Sequence, residues 1–378
     1  MSDYTYLDNA ATTPVAPEAV EAILRHYTAG YGNPSSSHSL GVEAHKAVDS
    51  ARQTLAGILN CGPAELVFTG GGSEANNLAI VGAAQRTRKR TIIVSAIEHP
   101  AVLETGRALE QQGFTLQIAP VDNHGLVEVD RLVELVDEDT FLVSIMAANN
   151  EIGTIQPVKR LARMVKKQNP DVLFHTDAVQ FFAKQPLSLA DGALDMVSMA
   201  AHKIHGPKGI GALYVKKGTK LSPIVHGGGQ EGGFRSGTEN VPGIVGFVTA
   251  AKLLVDHMSQ DEERIADCMD RIRSVLEEKL DGILVNGHPD HRLPNVLSIG
   301  VRDIKSQNLL HFLEDEGVVV SAGSACHSTR TRRSHVIEAI GLPPEYATIR
   351  ISASRYTDPD EAQDAAQRMV EVISRLRG

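Results

Sequence analysis

The chain has 378 residues, of which 42% are hydrophobic and 22% charged, a composition typical of a globular protein with a large core. Its formal net charge of −9 argues against a surface that binds nucleic acid or an anionic membrane. The opening MSDYTYLDNAATTP lacks a signal-peptide pattern, and no apolar run approaches the roughly 18 residues that cross a bilayer. We therefore expect a cytoplasmic protein with no membrane segment.

Helical periodicity alternates with short apolar runs in the first two thirds of the chain. The strand candidates are ELVFTG, TIIVSA, FTLQIAP, TFLVSIMAA, VLFHTDA, LDMVSMAA and IGALYV. Most of them are separated by helical segments, which indicates an α/β fold with a mainly parallel seven-stranded sheet covered by helices. We assign this large domain to residues 15–255.

The last third of the chain has a different pattern. A charged helix at 261–280 is followed by NVLSIGV, a helix near 306–316, VVVSA and ATIRISAS. This pattern predicts a smaller α+β domain, formed by residues 1–14 together with residues 256–378.

The three cysteines match neither a zinc site nor a redox pair in their spacing. Cys61 and Cys268 lie near apolar, helix-like segments and are interpreted as packing residues. Cys326 instead lies in SAGSACHSTRTRRS, residues 321–334, whose small polar residues predict an exposed loop. A thiol on such a loop would be accessible for reaction.

Polar side chains follow four of the predicted strands. They are His99 after TIIVSAIE, Asn149 and Asn150 after FLVSIMAA, Asp177 at the end of VLFHTD, and Lys203 after LDMVSMAAH. Because ligands of open α/β sheets bind outside the carboxyl ends of the strands, we expect these side chains on one rim. Each alone has a plain alternative, such as a helix cap or a solvated charge.

The segment TGGGSEANN, residues 69–77, joins a predicted strand to a predicted helix. Its glycines allow close backbone approach, and the helix N-terminus with the Ser73 hydroxyl suits a phosphate, although a tight turn would explain the pattern equally well. No Gly-Lys-Ser/Thr follows, so the segment is not a P-loop. A phosphate site beside Lys203 and Asp177 suggests pyridoxal phosphate, which needs an amine for a Schiff base and a carboxylate on its ring nitrogen.

Further motifs extend over nearly the whole chain and appear in a fixed order. They are YLDNAATTPV, GNPSSSH, GGGSEANNLAI, EHPAV, NNEIGTIQPV, FHTDAVQ, AHKIHGPKGIGALYV, HGGGQEGGFRSGTEN, GSAC and IRISASRYTDPDE. In these blocks the sequence resembles the cysteine desulfurases, in the class V branch of the fold-type I pyridoxal-phosphate enzymes.

The resemblance implies roles around the cofactor ring. Lys203 would carry the cofactor as a Schiff base, Asp177 would pair with the pyridinium nitrogen, and His99 would stack on the ring and shuttle protons. Gln180 would reach the phenolic oxygen, with Asn150 beside that oxygen and the substrate.

The resemblance also implies the phosphate site. Gly72, Ser73 and His202 would hold the phosphate, and Thr238 of the partner subunit would complete the site. The active enzyme would then be a homodimer.

On the substrate side, the resemblance implies that Arg350 holds the carboxylate of L-cysteine, with Asn33 and Asn150 as further substrate residues. A guanidinium fork suits a carboxylate, although a surface strand charge would fit the sequence equally well. Lys203 would remove the Cα proton, and the thiolate of Cys326 would attack the substrate sulfur. Alanine would leave, and the persulfide on Cys326 would pass to an acceptor protein.

The chain departs from the family pattern in two places. Ala200 and Ala201 stand where relatives often have serine and glycine, so one phosphate contact is missing, and we still expect the cofactor to be retained. His327 and TRTRR follow the cysteine, and ACHS also resembles selenocysteine lyases. We hypothesise that the arginines of that loop, Arg330, Arg332 and Arg333, dock an acidic sulfur acceptor, with a solvated basic loop as the alternative.

Other functions remain open at this stage. The chain could be a selenocysteine lyase with the same cofactor, an aminotransferase of the same fold that does not need Cys326, or a non-enzymatic protein that holds another anion at its glycine turn. Activity on both substrates and the cofactor's visible absorbance distinguish these alternatives.

Overall fold

The computed structural model describes residues 4–322 and 333–378. Its strands are β1 Thr5–Tyr6, β2 Leu66–Thr69, β3 Thr91–Ser95, β4 Thr115–Ala119, β5 Thr140–Ser144, β6 Leu173–Asp177, β7 Met196–Ala200, β8 Gly211–Val215, β9 Ile283–Asn286, β10 Val296–Arg302, β11 Val318–Val319 and β12 Tyr346–Ser352. Its α-helices are α1 Pro17–Thr28, α2 Ser39–Leu59, α3 Gly72–Ala84, α4 Pro100–Glu110, α5 Val129–Leu135, α6 Val158–Gln168, α7 Val241–Asp256, α8 Met258–Lys279, α9 Ser306–Asp315, α10 His335–Ala339 and α11 Pro359–Arg377.

The large sheet has the seven strands that the sequence predicts, in the order β2-β8-β7-β6-β5-β3-β4 among the described residues. Neighbouring strands are parallel except at β8, which runs antiparallel to both β2 and β7. Five consecutive strands, from β7 to β4, therefore end at the same edge. The predicted α/β class with a mainly parallel sheet is confirmed.

Helices cover both faces of this sheet, which explains why its strands read as continuous apolar runs rather than alternating ones. In β3, Ile92 and Val94 pack into one hydrophobic cluster while Ile93, on the opposite face, packs into another. The strands of this sheet are therefore packed on both faces.

A second core lies apart from this sheet. It joins Leu7 to side chains of α8, α9, α11, β10 and β12. There β10 pairs antiparallel with β12 and β9, and β1 pairs in parallel with β11. The sequence did not predict β9, whose four residues alternate too briefly to stand out. The proposed division at residues 15–255 stays a prediction, and α7 ends one residue beyond it, at Asp256.

Cys268 is buried in the second core, and Cys61 packs partly buried against the first. Burial raises the pKa of the Cys61 thiol to about 12 and also raises the pKa of Cys268. Both therefore remain protonated, and their interpretation as packing residues is confirmed.

Among the described residues, no individual helix combines the length and apolar character needed to span a bilayer, although α7 and α8, bent by 77° at their junction, pass on both counts when taken together.

Candidate active site

A cavity of about 740 Å³ opens at the carboxyl ends of the parallel strands. His99, Asn150, Asp177 and Lys203 all line it, as the positions of these residues after strands predict. Asn149 does not line it, because its amide folds into the turn behind and bonds the carbonyl of Ile97 at 2.9 Å. The predicted side chains therefore do meet at one edge of the sheet, except that Asn149 bonds the backbone instead of lining the cavity.

Lys203 ends the single 3-10 turn that follows β7. Its Nζ donates to the carbonyl oxygens of Ala10 at 2.7 Å and Ala11 at 2.6 Å. Both carbonyls belong to the segment LDNAATT, which crosses the cavity floor near the start of the chain. Two backbone oxygens thereby hold the amine at the cavity.

Asp177 is the last residue of β6 and is 4% exposed. Its Oδ2 accepts a 2.6 Å hydrogen bond from Asn76 Nδ2, and its Oδ1 accepts from the backbone N–H of Val179 at 2.9 Å. Two fixed donors orient the carboxylate while leaving lone pairs for a further donor in the cavity. This suits a carboxylate that must meet a protonated ring nitrogen.

The N-terminus of α3 reaches the cavity through Gly72 and Ser73. A Cβ on Gly72 would lie 2.7 Å from Val179 Cγ2, so glycine allows the helix to approach the segment that follows β6. The free N–H groups of the first turn and the helix dipole favour an anion at this point. Ala200 also lines the cavity here, where a serine would have added a hydroxyl.

Two histidines at the cavity are held neutral. His99 caps α4, its Nδ1 accepting from the N–H of Ala101 at 3.1 Å, which places the ring proton on Nε2. Burial lowers the pKa of His99; the charge of Asp177 opposes this shift and that of Lys203 adds to it. Burial and the same charge lower the pKa of His202 to about 4.

Gln180 lies between the ring residues and the chain's opening segment. Its Nε2 donates to the Ala10 carbonyl at 2.9 Å, so one oxygen accepts from both Gln180 and Lys203. The side chain lines the cavity and is 4% exposed.

Arg350 is 2% exposed and lines the cavity from β12, so it is not a surface strand charge. Its guanidinium donates to Asp8 Oδ1 at 2.7 Å and to the Asn150 carbonyl at 2.9 Å. A planar cation therefore lines the cavity, anchored by Asp8 near the start of the chain and by the loop that follows β5.

Helix α10 closes the same side of the cavity. Ser334 donates to Glu151 Oε2 at 2.6 Å, and His335 Nε2 lies 2.9 Å from the carbonyl of Glu98. The Glu98 carboxyl is fully buried, and its Oε2 has no partner among the described residues. Burial raises the pKa of Glu98 to about 8.

The remaining predicted residues fall elsewhere. Asn33 and Thr238 are exposed and do not line the cavity within this chain. Cys326, Arg330 and Arg332 lie outside the described residues. Arg333 lies at the cavity and donates to the carbonyl of Pro343 at 2.8 Å.

Sequence reasoning missed the residues that orient the predicted ones. Asn76 lies one helical turn after Gly72, and this spacing could have shown that it faces the same cavity. Asp8 lies within the motif YLDNAATTPV, but no strand or turn pattern connects it to a residue 342 positions away.

The donor set fits pyridoxal phosphate. The cavity provides an amine on Lys203, an oriented carboxylate on Asp177, a neutral imidazole on His99 and a glycine-led helix N-terminus at Gly72. These four groups match the aldehyde, ring nitrogen, ring face and phosphate of that cofactor.

Comparisons with known proteins agree with this chemistry. The class-V aminotransferase family matches residues 5–364. A protein named cysteine desulfurase IscS from Dictyoglomus turgidum is 41% identical over 100% of this chain and 96% of its own length. A solved structure named NifS-like protein covers 99% of this chain and 100% of its own with a TM-score of 0.93 and 41% identity. Another, named SspA in complex with cysteine, has a TM-score of 0.82 and 35% identity and covers 94% of this chain and 100% of its own. The chain therefore belongs to the class V aminotransferase family, and within it to the pyridoxal-phosphate-dependent cysteine desulfurases.

Proposed function

We propose that this cysteine desulfurase transfers the sulfur of L-cysteine to the thiol of Cys326 and passes the resulting persulfide to an acceptor protein. The observation that carries the proposal is the shared cavity, which brings the amine of Lys203, the carboxylate of Asp177 and the guanidinium of Arg350 together. A solved relative named as a complex with cysteine supports the choice of substrate.

Bound at this site, pyridoxal phosphate supplies an aldehyde that bonds covalently to amines and a ring that accepts the electron pair released at Cα. Asp177 would keep the ring nitrogen protonated by placing a fixed negative charge beside it. Gly72, Ser73 and His202 would bind the phosphate, with His202 acting as a neutral donor because of its lowered pKa.

On the substrate side, Arg350 would bind the carboxylate of L-cysteine and orient the amino acid toward Lys203. Lys203, as a free amine, would take the Cα proton, and His99 would present its Nε2 proton to the cavity. Gln180 and Asn150 would donate to the phenolic oxygen. We retain Asn33 as a weaker substrate contact.

In the overall reaction, the thiol of Cys326 and one L-cysteine give one persulfide and one alanine. The thiolate of Cys326 attacks the substrate sulfur, an S–S bond forms, and the C–S bond breaks with its electron pair and later a proton going to the substrate carbon. Ser321 exchanges backbone hydrogen bonds with Arg350, and Arg333 lines the cavity. In the sequence, Cys326 thus lies between one residue bonded to the cavity residue Arg350 and another that lines the cavity.

We further propose that the enzyme is a cytoplasmic homodimer. Thr238 is exposed and outside the cavity of its own chain, which is consistent with the phosphate contact that Thr238 of the partner subunit would make. Arg333, with Arg330 and Arg332, would contact an acidic acceptor.

The test is a single turnover of holoenzyme with L-cysteine, followed by the protein mass and the alanine released. The expected product is one added sulfur atom per chain, absent from Cys326→Ala although that variant keeps the cofactor's colour. Cys61→Ala is the matched control and should gain the sulfur normally, because its thiol is held protonated in a core.

Alanine release without any dependence on Cys326 would overturn the persulfide step. Parallel turnover of L-selenocysteine reports the alternative substrate: a preference for it by a hundredfold or more would reassign the enzyme as a selenocysteine lyase.

A further inference from the structure

A second lysine, Lys184, lies next to the active-site residue Gln180 but does not line the active-site cavity. Lys184 Nζ donates to Gln180 Oε1 at 2.9 Å, and its side chain lines a small cavity of about 50 Å³. Lys203 lines both this small cavity and the active-site cavity. The two lysines are therefore neighbours, but only one of them faces the proposed cofactor.

The contacts of Gln180 fix which end of its amide lies where. Its Oε1 accepts from the Lys184 amine, and its Nε2 donates to the carbonyl of Ala10, which can only accept. A flipped amide would place its oxygen against the carbonyl oxygen of Ala10 and lose the N–H donor of Lys184. Of the two Nε2 protons, one goes to Ala10, which leaves the other for the cavity that Gln180 lines.

The backbone brings Lys184 back over Gln180. Ala183 has a φ of 58°, in the left-handed region that residues other than glycine rarely adopt. The Lys184 N–H bonds the carbonyl of Phe181 at 3.1 Å and so closes the turn. This left-handed turn places the Lys184 amine within hydrogen-bond distance of Gln180.

The surroundings of Lys184 contain charges of both signs. Asp261 and Glu262 of α8, His205 and Arg355 line the same small cavity. Burial and the charges of Lys203 and Arg350 lower the pKa of Lys184 to about 7. An amine that is easily neutralised still donates through N–H, so its contact with Gln180 survives deprotonation.

We propose that Lys184 is a positioning residue: its amine holds the Gln180 amide so that the NH₂ group faces the cavity as a hydrogen-bond donor. This rests on the proposed role of Gln180 toward the phenolic oxygen of pyridoxal phosphate. A donor there stabilises that oxygen as an anion, and losing the donor raises the pH at which the bound cofactor titrates.

The experiment is a pH titration of the visible absorbance of holoenzyme, with cofactor content and circular dichroism confirming that each variant is folded and loaded. Gln180→Leu is expected to raise the midpoint by about one pH unit. Lys184→Met should raise it by about half a unit or more, whereas Lys184→Arg, which can still donate, should stay within about 0.2 units of the parent.

The double variant Lys184→Met/Gln180→Leu decides the mechanism. If the lysine acts through the glutamine, the double variant has the midpoint of Gln180→Leu alone, because there is no amide left to orient. Lys208→Met is the control, since Lys208 also places a charge near His202 but lies outside both cavities. It should leave the midpoint unchanged.

Additive shifts in the double variant would overturn the proposal and assign Lys184 a simple field effect. An unchanged midpoint in Lys184→Met, with Gln180→Leu shifted, would overturn it as well. No shift in Gln180→Leu would instead contradict the proposed contact of Gln180 with the cofactor, which separates the two failures.

Discussion

The two sides of the active-site cavity are built differently. We call one side the sheet wall; it is formed at the ends of the large sheet by Gly72, Asp177 and Lys203. The Asp177 carboxylate is oriented there by Asn76 and Val179 of the same sheet layer. We call the other side the outer wall; it is formed by Arg350 of β12 with Ser334 and His335 at α10, and these three residues contact the loops of the large sheet.

The difference shows how the two halves of the chemistry depend on folding. Each outer-wall contact with those loops joins residues 183 to 237 positions apart, whereas Asn76 and Asp177 are 101 apart. The orientation of Asp177 is thus a property of one layer, whereas the outer wall depends on distant parts of the chain. Lys203 shares that dependence, because its partners Ala10 and Ala11 are 193 and 192 positions away. Damage to the outer wall should therefore affect KM before it affects cofactor content.

The largest effect is expected at the sheet wall. Asp177→Asn removes the charge that we propose lies beside the ring nitrogen, so kcat/KM for L-cysteine should fall by about 10²–10³-fold, as measured by alanine release. Asp195→Asn is the matched control: Asp195 is also 4% exposed but bonds Lys166 and the Phe174 N–H before β7 begins, at the opposite edge. Equal losses of kcat/KM in both variants would mean that the effect is only structural.

An intermediate effect is expected at the outer wall. Arg350→Lys keeps the charge but loses the planar fork, so KM for L-cysteine should rise by about tenfold with the cofactor's absorbance unchanged. Arg355→Lys serves as the control, because Arg355 pairs with Asp261 at 3.5 Å and does not line the active-site cavity. A colourless Arg350→Lys protein would break the distinction between the two walls.

The third effect, at Glu98 where the walls meet, is expected on stability rather than on the reaction with L-cysteine. Its folded pKa of about 8 lies above the reference value of 4.5, so the folded state holds a proton that the unfolded state loses. Stability from this group is therefore fully present below pH 4.5 and is lost as the pH rises toward 8. Glu98→Gln lacks this dependence, and the thermal midpoint of the parent should fall relative to that of the variant between these values. Parallel curves would contradict the assignment.

The sequence predicts most of the sheet wall and little of the outer wall. Apolar runs that end in a polar residue identify His99, Asp177 and Lys203 directly, because strand ends converge whatever the details of packing. Arg350 could be assigned only by resemblance, since its alternating strand reads the same for a buried or an exposed arginine.

The supporting residues were harder still to predict. Lys184 and Glu98 look like ordinary surface charges in the sequence, and their roles depend on burial that only tertiary packing creates. Asn149 and Asn150 show the same difficulty for prediction from sequence. They are identical neighbours after one strand, yet Asn149 bonds within a turn and Asn150 lines the cavity.

The segment from Thr5 to Ala11 pairs with β11, bonds Ser352 and presents its carbonyls to Lys203. During synthesis, 343 positions separate Asn9 from its partner Ser352, so this segment is made long before the strand that fixes it. Lys203 therefore gains the correctly placed carbonyls of Ala10 and Ala11 only after Ser352 has been added. A nascent chain that ends before Ser352 should consequently bind pyridoxal phosphate less well than the folded protein.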